Sequence, residues 1–238
     1  MCGVCGCGDT AVPLVQPART IQLEAAVLGE NDRIAGHNRS HFAEHGVLAL
    51  NFVSSPGSGK TTLLCSLIER LRSSGRELGV IEGDQHTSRD AERIRALGVP
   101  AVQVNTGRGC HLDAAMVGQA FGQLHVHGRP LSIVLIENVG NLVCPALWDL
   151  GERAKVVVVS VTEGDDKPLK YPDMFAAAQL LVVNKIDLLP CVSFDVAACV
   201  AYARRVQPAL EHIEVSATRG DGLDELSAWL LREAAAIA

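Results

Sequence analysis

The chain has 238 residues, of which 48% are apolar and 20% charged, and a formal net charge of −6. That is enough apolar sequence for a sizeable core, while the acidic balance argues against nucleic acid as a partner, because a phosphate backbone is met by a basic face. The longest apolar runs are strand-length and the start lacks a basic region followed by an apolar one, so neither membrane spanning nor secretion is expected and the cytoplasm is the expected compartment.

Taken in chain order, the first feature is C-G-V-C-G-C-G, with Cys2, Cys5 and Cys7. In a reducing compartment clustered thiols bind metal or do redox chemistry more often than they form disulfides. Removal of Met1 would expose an α-amine beside Cys2, and one amine with three thiolates suits square-planar nickel(II), although tetrahedral zinc would also accept the sulfurs. Small residues and two prolines follow, so 1–17 is expected to be a flexible tail carrying a CxxCGC metal motif. Ile21, Ala25, Leu28, Ile34, His37, His41 and His45 then recur at helical spacing, predicting a helical segment over 18–46 with a break near Gly29. The three histidines read as exposed or half-buried imidazoles on that helix rather than as a metal face.

From residue 47 to 238 the pattern changes. Strand-like apolar runs at 48–53, 78–81, 101–104, 131–136, 155–161, 180–183 and 213–215 alternate with helical stretches. Buried strands joined by crossover helices predict a three-layer α/β fold with a mainly parallel doubly wound sheet, and the phosphate-loop motif that follows the first strand makes it one of the P-loop NTPase type. Such a sheet gathers its ligand loops at the carboxyl ends of the strands.

The first strand runs into S-S-P-G-S-G-K-T-T, residues 54–62. The amides of Gly57, Ser58, Gly59, Lys60, Thr61 and Thr62 can close round phosphate oxygens, the Lys60 ammonium faces the outer phosphates, and the Thr61 hydroxyl can ligate magnesium. Ser54 stands where the strict pattern has glycine. The fourth strand ends in E-N-V-G, offering Glu137 as a magnesium-side carboxylate and the Gly140 amide as a γ-phosphate contact. Asp84, in E-G-D at the end of the second strand, is a second magnesium-shell carboxylate or else a helix cap. Guanine is read by Asn184, Lys185 and Asp187 of N-K-I-D, since a carboxylate accepts from both the ring N–H and the exocyclic amine that only guanine presents together. Ser216 and Ala217 of E-V-S-A supply a further loop, with the Ala217 amide facing the guanine oxygen. Lys60, Asp84 and Glu137 are the expected catalytic set, acting on GTP and releasing GDP. No water-positioning glutamine or arginine finger is evident, so turnover is expected to be slow.

These motifs, together with N-T-G-R-G-C-H-L-D-A, I-E-N-V-G-N-L-V-C-P and T-E-G-D-D-K-P-L-K-Y-P, resemble the HypB family of hydrogenase maturation GTPases along essentially the whole chain. The resemblance implies a SIMIBI-class GTPase that helps deliver nickel to the [NiFe]-hydrogenase large-subunit precursor, a HypA-type nickel/zinc accessory protein as partner, and a GTP-dependent homodimer. It also implies a second nickel or zinc site at Cys110, His111 and Cys144, on loops after the third and fourth strands. Both loops belong to the nucleotide edge of the expected sheet, so Cys144 would move with the loop that senses the γ-phosphate; otherwise Cys144 is a buried structural thiol. Cys65, Cys191 and Cys199 read as small buried hydrophobes. Lys167 and Lys170 read as nucleotide or dimer contacts, or as a solvated loop. Two rivals remain: a urease-type nickel GTPase, whose C-P-H motif is broken here by Ala146, and a nickel-buffering protein with a vestigial nucleotide site.

Overall fold

The computed structural model describes residues 17–84, 89–107, 109–125 and 130–237. All seven expected strands form: β1 (Leu48–Ser54), β2 (Leu78–Asp84), β3 (Ala101–Asn105), β4 (Ile133–Glu137), β5 (Ala154–Ser160), β6 (Leu180–Asn184) and β7 (Glu211–Val215). They make one sheet in the order β3-β2-β4-β1-β5-β6-β7, and every pairing is parallel. Every residue of β1, β4, β5 and β6 is buried. That is why these strands read as unbroken apolar runs rather than as alternation: helices cover both faces.

On one face α2 (Lys60–Leu71) and α9 (Leu223–Ala235) pack Leu63, Leu67, Trp229 and Leu230 against Leu50, Phe52, Val156 and Val158. On the other, beyond the single turns α5 (Cys144–Leu147) and α6 (Lys167–Lys170), α7 (Pro172–Ala177) and α8 (Val196–Val206) bring Met174, Phe175 and Cys199 to Val157, Val159 and Leu181. Beside them α1 (Pro17–Glu44) and α4 (Ala114–His125) bring Phe42 and Phe121 to Ala49, Val134 and Ile136. Strand order reverses at β1 and β4, so the crevice between their carboxyl ends is where such a sheet binds ligands.

The first helix departs from expectation in two ways. It runs unbroken through Gly29 for 28 residues. Its buried stripe is Asn31, Ala35, Asn38 and Phe42, one position round from Ile34, His37 and His41. Two of those four are polar because they bond rather than pack: Asn31 Nδ2 donates to Asp149 O (2.8 Å) and its Oδ1 accepts from Ala114 N (2.9 Å), while Asn38 Nδ2 donates to Ala114 O (2.7 Å) and Leu150 O (3.0 Å). Gly151 (φ +87°) lets the 149–152 loop lie flat on the helix, since a Cβ there would sit 2.6 Å from Ala35 O. The histidines face outward, His37 and His45 exposed and His41 half-buried, with His41 edge-on to Phe121 at 5.2 Å. Among the described residues no helix is long and apolar enough to cross a membrane.

Candidate functional site

The turn between β1 and α2 holds the predicted phosphate loop. Gly59 has φ +92°, and a Cβ on it would come within 2.9 Å of Asn184 Nδ2, so the loop needs glycine both for its backbone and for the approach of the base-reading segment. Lys60, buried, donates from Nζ to Ser54 Oγ (2.7 Å). The hydroxyl that replaces the motif's usual glycine therefore holds the ammonium. Burial lowers the Lys60 pKa, while Glu137 leads the carboxylates that pull it back up.

Thr61 Oγ1 donates to Glu137 Oε1 (2.7 Å), and Glu137 Oε2 is buried with no hydrogen-bond partner among the described residues. Glu82, in register with Glu137 on the neighbouring strand, has an equally orphaned Oε2. Burial pushes Glu137 up to about 6 against the opposing charge of Lys60, and pushes Glu82, with Glu137 and Asp84 nearby, up to about 8. Carboxylate oxygens left bare in a buried pocket have the chemistry of a cation site. Thr61, Asp84 and Glu137 border the same cavity of about 580 Å³ as Lys60 and Gly140, so the residues fit a hard divalent ion such as magnesium.

The cavity also carries groups that sequence spacing does not mark, Glu82 and Arg93 among them. Glu82 stands two residues before the more conspicuous Asp84. Arg93, on α3 (Arg89–Ala96), reaches the cavity wall, with Nη2 3.3 Å from Thr62 Oγ1 and Nη1 3.3 Å from Asp90; the D-x-x-R spacing that pairs it with Asp90 was the only available signal.

The base-reading residues converge at a second hollow. Asn184 Nδ2 donates to Ser58 O (2.9 Å), and Asn184 Oδ1 accepts from Ala217 N (3.3 Å). The Ala217 amide, expected to face guanine, is thus turned to Asn184. Lys185 has φ 64° and its Nζ donates to Gly57 O (2.6 Å). Ser216 Oγ donates to Asp187 Oδ1 (2.6 Å), which orients the carboxylate at the mouth of the hollow. Lys167 donates to Ser55 Oγ (3.0 Å) beside the phosphate loop, whereas Lys170 pairs with Asp166 at the surface.

The metal residues meet as a group. Cys110, His111 and Cys144 offer ligand atoms all within 4.8 Å of one another, with Sγ to Sγ 2.8 Å and Cys110 Sγ to His111 Nδ1 3.7 Å. Sulfurs on a tetrahedral zinc stand about 3.8 Å apart, so a cation entering would spread the pair. The His111 ring lies 4.3 Å from Trp148, and burial lowers its pKa, favouring the neutral imidazole that a metal requires. The hydrogen bond to Cys144, then burial, raise the Cys110 thiol. Cys110 also lines the cavity that holds Lys60 and Glu137, so soft ligands and phosphate groups share one rim. Cys2, Cys5 and Cys7 lie outside the described residues. Of the remaining thiols, Cys199 is buried as expected; Cys65 is only half-buried against the core, and Cys191 is exposed, because it ends the short 3-10 turn Ile186–Cys191 at the surface.

A phosphate loop at the switch point of this sheet, facing a strand-end glutamate and an N-K-x-D loop, defines a P-loop GTPase. The comparisons narrow the class. The family model described as CobW/HypB/UreG, nucleotide-binding domain, matches residues 48–214. Hydrogenase maturation factor HypB of Cupriavidus necator is 55% identical over 97% of this chain and 74% of its own, and that of Escherichia coli K12 is 55% identical over 94% and 77%. The crystal structure of HypB from Helicobacter pylori in complex with nickel superposes with TM-score 0.82 at 38% identity, covering 86% of this chain and 95% of that one. HypB from Archaeoglobus fulgidus gives 0.79 at 40%, covering 87% and 99%. The chain belongs to the HypB family of hydrogenase maturation factors.

Proposed function

We propose that the chain is a slow GTPase that carries nickel toward the [NiFe]-hydrogenase large-subunit precursor and whose grip on the ion changes with the nucleotide. The observation that carries this reading is the shared rim: Cys110 borders the cavity of Lys60, Thr61 and Glu137. Amides of 57–62 bind the phosphates, Lys60 leaves Ser54 to neutralise the outer ones, and Asp187 selects guanine. Thr61, Asp84 and Glu137 would hold magnesium, which supplies charge neutralisation on the phosphates when bound. Water attacks the γ-phosphorus in line, the bond to the β-phosphate oxygen breaks, and GDP leaves; loop amides and Lys60 stabilise the charge on the transferring group.

Nickel is cargo in this scheme, held by Cys110, His111 and Cys144 and by the tail thiols Cys2, Cys5 and Cys7. Zinc is the alternative occupant of the sulfur sites. The tail (1–17), helical segment (18–46) and G domain (47–238) act in the cytoplasm with a HypA-type partner and as a GTP-dependent homodimer. Nickel titration in the presence of GDP and of GTPγS tests the coupling: a change in affinity supports it, and identical curves favour passive buffering. Cys144→Ala removes the nucleotide-responsive phase, whereas Cys2→Ala removes the tighter tail phase and leaves GTP hydrolysis intact.

A further inference from the structure

Cys110 and Cys144 sit on different loops, so a nucleotide signal can change their spacing only through whatever joins those loops. Two side-chain amides do so. Asn138, one residue past Glu137 and 1% exposed, accepts at Oδ1 from Leu112 N (3.1 Å) and Val139 N (3.0 Å). Its own amide N–H reaches Phe52 O (3.0 Å) and its Nδ2 reaches Asn51 Oδ1 (3.2 Å), so it is fixed to β1 just ahead of the phosphate loop. Asn141, one residue past Gly140 and half-buried, donates from Nδ2 to Cys110 O (3.2 Å) and accepts at Oδ1 from Val143 N (2.8 Å). The residues on both sides of His111 are therefore fastened to the segment that runs from Glu137 to Cys144.

We propose that Asn138 and Asn141 are positioning residues that carry the nucleotide state to the metal pocket, Asn138 as a fixed anchor and Asn141 as a latch. The anchor holds the His111–Leu112 end of the metal loop to the sheet. Beyond it, the segment 139–143 is a short lever with Gly140 against Pro56 of the phosphate loop and Cys144 at its far end. A ligand that draws Gly140 pulls on Asn141, and through its amide on the Cys110 carbonyl. The spacing of the two sulfurs then follows the occupancy of the phosphate site. Without the latch, the three metal ligands remain but no longer register the nucleotide. This inference rests on the coupling proposed above and identifies the groups that transmit it.

The test uses the full chain with Cys2→Ala, to silence the tail, and nickel as probe. The ratio of nickel Kd values in GDP and GTPγS is measured, together with the reciprocal effect of nickel on GTPγS affinity, which linkage requires to be the same factor. The expected ratio is at least about fivefold in this background. Asn141→Ala should bring both ratios below about twofold while nickel still binds in GDP, a signature that mere loss of packing would not produce. Asn141→Asp retains an acceptor for Val143 N and removes the donor to Cys110 O, so it should behave as Asn141→Ala; retention of the ratio in Asn141→Asp would mean that the turn cap, not the latch, matters. Asn138 is read without a variant, by hydrogen exchange at the Leu112 amide, which stays slow in both nucleotide states if the anchor holds and turns fast in one if it does not. No ratio in the Cys2→Ala background sinks the coupling and the latch with it. A ratio that survives Asn141→Ala sinks the latch alone.

Discussion

Lys60 is held by the one residue that departs from the motif. Its Nζ bond to Ser54 Oγ keeps a buried ammonium hydrogen-bonded, which matters because a charge stranded in that pocket would be costly. Asp187 is prepared in the same manner by Ser216. Replacing Asp187 with asparagine turns an acceptor pair into one acceptor and one donor, mismatching guanine and matching xanthine, whose ring presents a carbonyl in place of the amine. GTP affinity should fall by roughly 10- to 100-fold, the scale of a hydrogen bond to a charged group, while xanthosine triphosphate gains; competition binding with the two nucleotides checks this, and unchanged preference would remove Asp187 from base recognition. The motif residues were readable because each works through local backbone geometry at a fixed spacing. Glu82, Arg93, Asn138 and Asn141 were not, since what gives them a role is a neighbour remote in sequence: Glu137 for Glu82, Thr62 for Arg93, Leu112 and Cys110 for the asparagines.

At the level of elements, the strands were legible because burial on both faces writes itself as continuous Val, Ile and Leu. The first helix was harder, because its contact stripe contains Asn31 and Asn38, which an apolar-periodicity reading passes over in favour of Ile34 and the histidines. Its outer edge is clamped by Arg39, whose Nη2 lies 2.8 and 2.6 Å from the two carboxylate oxygens of Asp149. Burial alone would raise the Asp149 pKa, but the Arg39 guanidinium and the Gly151 amide outweigh it and hold the carboxyl below its ordinary 3.8. The folded chain thus binds that proton less readily than the unfolded one. The clamp's contribution is complete above pH 4 and is lost as pH falls through the lower folded-state value. Because the pair is partly exposed, Arg39→Ala should cost only about 0.5–1 kcal/mol at pH 7. The difference in urea midpoint between wild type and variant should narrow as the pH approaches 3, and a constant gap would show that the ion pair contributes nothing specific.

For the whole molecule, both hollows and the metal group lie on loops leaving the carboxyl ends of the sheet, so a ligand there bonds segments from β1, β4, β6 and β7 at once. Such a ligand stabilises the fold by mass action. GTP with magnesium at about 100 times its Kd adds about 2.7 kcal/mol, which for a chain of this size raises Tm by roughly 5–10 °C. Lys60→Ala should abolish that shift in a thermal melt, whatever it does to the ligand-free Tm; an undiminished shift would place the phosphates elsewhere.

The long first helix also braces the metal loop. Asn31, the pinned stripe residue nearest the N-terminus of the helix, bonds Ala114, only four positions from Cys110. From that pivot to Pro17 the helix extends about 21 Å at 1.5 Å per residue. Cutting that helix away would therefore unfasten the metal loop at Ala114 as well as uncover Phe121.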